Sequence, residues 1–176
     1  FAKRISVTFD ETAVAFPSKK TLVVGGMFRH ALRLGDKQTA VTRYGFDATL
    51  PTVLVMGGGT GAVQINDAMA TLRRDMVTHA NVLHLVGRGK MLSALEEQGQ
   101  NYPALEVLNE GMADAYAAAD IVVCRSGLGT ICELAALGKP AIIIPFHSFE
   151  FPNAKALEER NAAEVLWYMT PQILSQ

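Results

Sequence analysis

The sequence predicts an α/β fold, a Rossmann-like doubly wound parallel sheet with helices on both faces. Three observations predict it. Short apolar runs alternate along the chain with segments of helical spacing. The runs are continuously apolar rather than alternating, as strands are when helices cover both of their faces. The connections are short, and β and α units alternating in this way imply parallel strands joined by crossover helices.

The apolar runs are Thr52–Met56, Asn81–Val86, Leu105–Leu108, Ile121–Cys124 and Ala141–Pro145, with a shorter one at Ala163–Tyr168. Each is bounded by Gly, Pro or polar turn residues. Helical spacing is expected at Ala62–Met76, Lys90–Gln98, Met112–Ala119, Thr130–Leu137 and Asn153–Arg160. In the first of these, Ile65, Ala68, Met69, Leu72 and Met76 form one apolar stripe,. Gly138-Lys139-Pro140 stops the fourth,. The segment ahead of Thr52 is less regular. Ile5–Phe9 and Leu22–Val24 read as short strands, and Phe46-Asp47-Ala48 leads through Leu50-Pro51 into the first regular unit. Residues 1–28 are expected to be the tail of a preceding N-terminal domain plus a connector. Residues 29–176 are then a Rossmann-like C-terminal domain truncated at its C-terminus. The chain opens on Phe1 and reads as a piece of a longer protein.

Composition narrows the partners. With 49% hydrophobic and 19% charged residues, the 176-residue chain can bury a substantial core,. Its net charge of −1 offers no electrostatic footprint for nucleic acid,. No apolar run approaches the ~20 residues that span a bilayer. Cys124 and Cys132 read as small buried hydrophobes, and without a CxxC pair or a ligand-spaced His no metal site is expected,.

Ligands of doubly wound sheets bind at the carboxyl ends of the strands, where loops lead into helix N-termini. Gly57-Gly58-Gly59-Thr60-Gly61-Ala62 follows the run VLVM and fits a phosphate cradle, the dinucleotide fingerprint, or simply a tight turn that lets the helix pack on the strand,. That fingerprint also requires an acid after the next strand, but VLHLV ends in Gly87-Arg88-Gly89. An NAD(P)-dependent oxidoreductase is therefore the weaker reading. Leu108-Asn109-Glu110-Gly111-Met112 can present main-chain groups to a base edge, with Met112 either on its face or in the core. Thr130-Ile131-Cys132-Glu133 has the spacing of a capping box,. The alternative for Glu133 is an acid that accepts two vicinal sugar hydroxyls beside a helix start. Ahead of it, Arg125-Ser126-Gly127-Leu128-Gly129 places two glycines where a ligand can approach closely,. Arg125 would serve that ligand or pair with a neighbouring acid. The aromatic loop Pro145–Asn153, containing His147, is a further candidate sugar contact.

Together VLVMGGGTGAVQIND (53–67), residues 110–146 and NAKALEERNAA (153–163) resemble the C-terminal half of the MurG family of peptidoglycan glycosyltransferases, in glycosyltransferase family 28. Val24–Arg29 is similar to that family's hinge motif. The resemblance implies one lobe of a two-lobed GT-B enzyme, inverting and metal-independent, with UDP-GlcNAc as donor and no cofactor. It implies that Arg29 and Gly57, Gly58, Gly59, Thr60 and Gly61 face the diphosphate. Asn109 and Met112 would frame uracil, Arg125, Ser126, Gly127, Leu128, Gly129 and Thr130 would line the nucleotide-sugar, and Glu133 would take the ribose. The family's Gln before the Asn-Ala pair holds the donor sugar; here Glu150 stands in its place, near Asn153. The glycine loop carries Gly59 where the family has Ser, and the hinge has Gly26-Met27 for Asn-Pro. The lipid-linked acceptor and the general base are implied to belong to the missing N-terminal domain, so no catalytic residue is assigned to this chain. The full enzyme would sit peripherally on the cytoplasmic face of the bacterial plasma membrane. A transferase acting on another lipid, such as diacylglycerol, and a non-catalytic nucleotide-binding subunit are the alternatives.

Overall fold

In the computed structural model, which describes residues 2–58, 61–96 and 99–167, strands β1 (Ile5–Val7) and β2 (Thr21–Val23) pair in parallel as a small sheet of their own. A one-turn helix, α1 (Asp10–Ala13), lies between them. The chain then runs through α2 (Lys37–Tyr44), β3 (Thr52–Met56), α3 (Val63–Met76), β4 (Asn81–Leu85), α4 (Ser93–Glu96) and β5 (Ala104–Leu105). It continues through α5 (Met112–Ala118), β6 (Ile121–Cys124), α6 (Leu128–Leu137), β7 (Ala141–Ile143), α7 (Phe151–Glu158) and β8 (Glu164–Val165). The last six strands form one parallel sheet in the order β5-β4-β3-β6-β7-β8. The expected doubly wound α/β fold is therefore present.

Covering both faces explains the continuously apolar strands. Leu54 and Val122 point into a core shared with Tyr116 of α5 and Ile131 and Leu134 of α6. Their neighbours Val55 and Val123 enter a second core with Ile65 and Met69 of α3 and Tyr102. The stripe expected on α3 is buried at Ile65, Ala68, Met69 and Leu72. Both cysteines are free and buried. Burial pushes the Cys124 thiol up to about 12, which keeps it protonated,.

Strands β4, β5, β7 and β8 end short of their apolar runs. After Ile143 one more ladder bond forms, from Ile144 N–H to the Cys124 carbonyl at 2.8 Å, and Pro145 then has no N–H to offer,. Beyond Leu105 the chain leaves the sheet, and Glu106 and Val107 are exposed. The helix expected to begin at Asn153 starts at Phe151 and accommodates Pro152 in its first turn,. Glu97, Gln98 and Tyr168, the last residues of two expected elements, lie outside the described residues.

Helix α2 was not expected. Asp36 caps it by accepting from Thr39 N–H at 2.6 Å, and Gly45 ends it in the left-handed region at φ 64°,. Its one buried residue is Ala40, so no apolar stripe announces it. It packs on α5, where Asp36 N–H donates to Asp114 at 2.9 Å and a Cβ on Gly35 would run into the Ala113 carbonyl.

A buried polar cluster holds the second core to β4. His84 is fully buried, with Nδ1 3.1 Å from the Tyr102 hydroxyl and Nε2 3.1 Å from Asn66 Oδ1. Asn66 Nδ2 donates in turn to the Val86 carbonyl at 3.0 Å. Burial lowers the His84 pKa from 6.5 to about 4, so the folded protein holds it neutral,. Between those values the unfolded chain binds a proton that the folded chain does not. Stability contributed by this group is full above pH 6.5 and falls as the pH drops towards 4, by about 1.4 kcal/mol per unit,. Urea denaturation of the wild type and of His84→Gln between pH 7 and 4 should give converging stabilities as the pH falls. A constant difference would show that His84 does not titrate with folding.

Candidate functional site

At the carboxyl ends of β3 and β4, beside the starts of α5 and α6, the surface opens into a cleft of about 400 Å³. Six residues expected at the site line it: Arg29, Gly58, Met112, Gly129, Thr130 and Glu133. Met56, Leu85, Glu106, Val107 and Leu108 complete the wall. Asn109 is exposed between Leu108 and Met112. Gly59 and Thr60 lie outside the described residues. Larger hollows beside α3 and between α6 and α7 contain neither glycine loop.

The glycines fall into two kinds. A Cβ on Gly57 would run into the Ala62 amide, and Gly58 and Gly61 have positive φ, 79° and 67°. A Cβ on Gly61 would also meet the Val86 carbonyl oxygen. The backbone itself demands these three. Gly127 and Gly129 differ: neither has positive φ, and a Cβ on either would meet open space. Neither positive φ nor crowding demands them; Gly127 holds the N-cap position of α6, where glycine is favoured, and Gly129 leaves the start of the helix bare,.

Glu133 is not a capping residue. Helix α6 begins at Leu128, with Gly127 in the N-cap position and no side-chain cap. That start is earlier than the T-x-x-E spacing implied, and it places Thr130 inside the first turn. The Glu133 carboxylate instead bridges two partners. Oε1 accepts from Arg29 Nε at 3.1 Å and lies 3.0 Å from Arg29 Nη2; Oε2 accepts from the Tyr116 hydroxyl at 2.9 Å. Burial, and next the Glu133 charge, push the Tyr116 pKa up, so the phenol stays a donor,. Arg29 thus meets the acid across the cleft rather than standing free for a phosphate.

The arrangement combines backbone amides at the start of α6, which favour an anion, with a fixed carboxylate that can accept hydroxyls and a Met56, Leu108 and Met112 wall suited to a flat ring,. Residues 52–174 match the glycosyltransferase family 28 C-terminal domain. The chain belongs to glycosyltransferase family 28. It is 35% identical, over 170 residues, to the UDP-N-acetylglucosamine--N-acetylmuramyl-(pentapeptide) pyrophosphoryl-undecaprenol N-acetylglucosamine transferase of Lachnospira eligens, covering 94% of this chain and 48% of that protein. It is 34% identical over 171 residues to the protein of the same name from Geobacillus thermodenitrificans, with the same coverage. The chain thus spans about half the length of the curated relatives it matches. The crystal structure of Acinetobacter baumannii MurG superposes with a TM-score of 0.72 at 25% identity, covering 99% of this chain and 50% of that one. The kitacinnamycin glycotransferase superposes at 0.75 with 18% identity, a likeness of fold alone. The fold is that of one GT-B lobe.

Four expected site residues of this family 28 lobe are engaged elsewhere. Arg125 Nη2 pairs with Glu150 Oε1 at 2.9 Å, and their side chains are 15% and 4% exposed. A cation at that depth needs a countercharge, and Glu150 supplies it. Glu150 Oε2 accepts from Phe146 N–H at 3.0 Å and His147 N–H at 3.3 Å. Both Glu150 oxygens are thus engaged, and its side chain, 4% exposed, is not one of those that line the cleft. Ser126 is fully buried and donates to the Glu150 carbonyl at 3.0 Å, so its side chain does not line the cleft. Asn153 Nδ2 donates to the Ser126 carbonyl at 2.9 Å. These four knit the loop before α6 to the loop before α7. Leu128 is 46% exposed at the start of α6, and His147 stacks on Phe149 with ring centroids 5.2 Å apart.

Two contributors were not foreseen. Tyr116 reads in sequence as one more residue of an alanine-rich helix, and its partner is visible only in three dimensions. Arg43 of α2 donates to the Glu110 carbonyl at 3.4 Å and so supports the Asn109–Met112 loop. The contrast between the two kinds of glycine is testable by thermal unfolding. Gly129→Ala should be neutral or stabilising by up to about 1 kcal/mol, since alanine suits a helix better. Gly61→Ala should destabilise by about 1 kcal/mol or more. A destabilised Gly129→Ala would mean that the fold, not a ligand, requires that glycine.

Proposed function

We propose that this chain is the donor-binding lobe of an inverting, metal-independent transferase that moves N-acetylglucosamine from UDP-GlcNAc to a lipid-linked muramoyl-pentapeptide, lipid I, in peptidoglycan synthesis. The observation that carries the reading is Glu133, a carboxylate set into the cleft wall by Tyr116 and Arg29, beside Gly129, which neither positive φ nor crowding requires. In this reading Glu133 accepts the ribose hydroxyls. The diphosphate faces the Gly57–Gly61 loop and the amides that open α6, and Arg29 reaches it only by leaving Glu133. Uracil lies against Met112, with main-chain groups near Asn109 reading its edge. The activity for which these relatives are named supports donor and acceptor alike.

The general base and the acceptor groove belong to an N-terminal domain, of which residues 1–28 are the tail and connector. The β1–β2 pair supports this division. Leu22, Val23 and Val24 are 52%, 45% and 56% exposed, whereas parallel strands are ordinarily covered on both faces,. The full enzyme is a peripheral protein of the cytoplasmic membrane face. Among the described residues no helix is long and apolar enough to cross a membrane. One observation favours a second reading of the sugar. Glu150, at the position where the family's glutamine is expected, is committed to Arg125, so UDP-glucose is the competing donor.

Calorimetry separates these readings. UDP and UDP-GlcNAc should bind the chain with EDTA present, and Glu133→Ala should weaken both by about 10- to 100-fold, the value of a hydrogen bond to a charged group. NADPH should give no heat, and the chain alone should transfer no sugar to lipid I. Heat from NADPH and none from UDP would refute the assignment. Tighter binding of UDP-glucose than of UDP-GlcNAc would establish the second reading.

A further inference from the structure

We infer that Tyr116 is a positioning residue for ribose recognition: its hydroxyl fixes the plane in which Glu133 presents its two oxygens to a vicinal diol. The inference rests on the donor reading above. A glutamate carboxylate turns readily about its last torsion, whose profile is broad and two-fold. Two neighbouring hydroxyls can be gripped together only if that rotation is held. Arg29 cannot hold it alone, because both of its contacts fall on Oε1. Its side chain is also 65% exposed, on the segment that enters the domain.

Tyr116 takes the other oxygen. Its hydroxyl lies 2.9 Å from Oε2 and 3.7 Å from the Met56 sulfur. The residue is fully buried on α5 among Leu54, Met56, Cys124 and Ile131, so the core sets where the hydroxyl stands. One O–H uses one of the roughly four acceptor positions of a carboxylate. With the two Arg29 contacts on Oε1, one position remains on Oε2, and Oε1 opens to the second hydroxyl when the exposed Arg29 contact yields. The ordinary alternative runs the other way. A buried tyrosine hydroxyl needs an acceptor, and Glu133 would merely satisfy it. That alternative predicts a loss of stability on removing the hydroxyl, with no preference among ligands.

The two accounts separate in a titration of UDP and 2′-deoxy-UDP against wild type, Tyr116→Phe, Glu133→Ala and the double variant, with unfolding midpoints measured for each. Phenylalanine keeps the ring and removes only the hydroxyl. Tyr116→Phe should weaken UDP by about 5- to 20-fold. It should weaken 2′-deoxy-UDP less than about 2-fold, since one of the two hydroxyls is already gone. In the Glu133→Ala background the same change should have no further effect on UDP. If wild type binds UDP and Tyr116→Phe binds it equally well, the positioning role is overturned and the donor reading stands. An equal loss for both nucleotides, or a loss that persists without Glu133, also overturns it. If wild type binds no UDP, the donor reading itself fails.

Discussion

Everything at the cleft depends on β3 being hydrogen-bonded on both sides by parallel strands. Val53 faces Val82 of β4 on one side and Ile121 of β6 on the other. Parallel neighbours cannot be joined by a hairpin, so each connection must travel back over the sheet, mostly through a helix. The carboxyl ends of the strands and the starts of the returning helices therefore collect along one edge. The chain works outwards from β3 to β5, then returns to β6 on the other flank and works outwards again. The loops leaving β3 and β6 diverge at that reversal, and the cleft opens between them.

That geometry divides the labour among the glycines and the polar side chains. The loop after β3 must turn sharply into α3 beneath the end of β4, and Gly57 and Gly61 are there because any side chain would strike the backbone. The loop after β6 has no such crowding at Gly127 and Gly129. It is held from below instead, by Ser126 on the Glu150 carbonyl, Asn153 on the Ser126 carbonyl and the Arg125–Glu150 pair. The polar groups of these four residues face one another, and the glycines are left facing outwards. A rigid base and a bare backbone are what close approach by an anionic ligand requires.

How much of this the sequence showed follows from what each residue touches. β3 and β6 were read to the residue because burial on both faces makes their whole length apolar. The cleft was legible as loops, since glycine and polar residues after an apolar run mark strand ends whatever the tertiary structure. Helix α2 was missed because it fully buries only Ala40, and Val41 and Tyr44 pack just partly against the core, too few residues to make a stripe. The start of α6 was misplaced because its N-cap is a glycine, which carries no side-chain signal, while Thr130 and Glu133 mimic a cap further on. Glu150 looked like a ligand contact, and Arg125 like either a ligand contact or the partner of an acid that the sequence could not name. Only the folding of two loops against one another reveals that they neutralise each other.

The surroundings of Glu133 show why its partners differ in kind. Helix α6 carries the segment around Gly26 on its outer surface, where a Cβ on that glycine would meet the Cys132 sulfur, and the cleft at its start. The acid lies where the two meet, only 14% exposed. Its ion pair with Arg29 is largely in solvent on the arginine side, and exposed pairs contribute about 1 kcal/mol or less,. Its bond from Tyr116 is buried, and breaking it would leave the hydroxyl only the weakly accepting Met56 sulfur in the core, at a cost of about 1–3 kcal/mol,. When a further hydrogen-bond donor enters the cleft and competes for the carboxylate, the weaker contact yields first. Oε1 is therefore the exchangeable oxygen and Oε2 the fixed one, an asymmetry set by burial rather than by the chemistry of the acid.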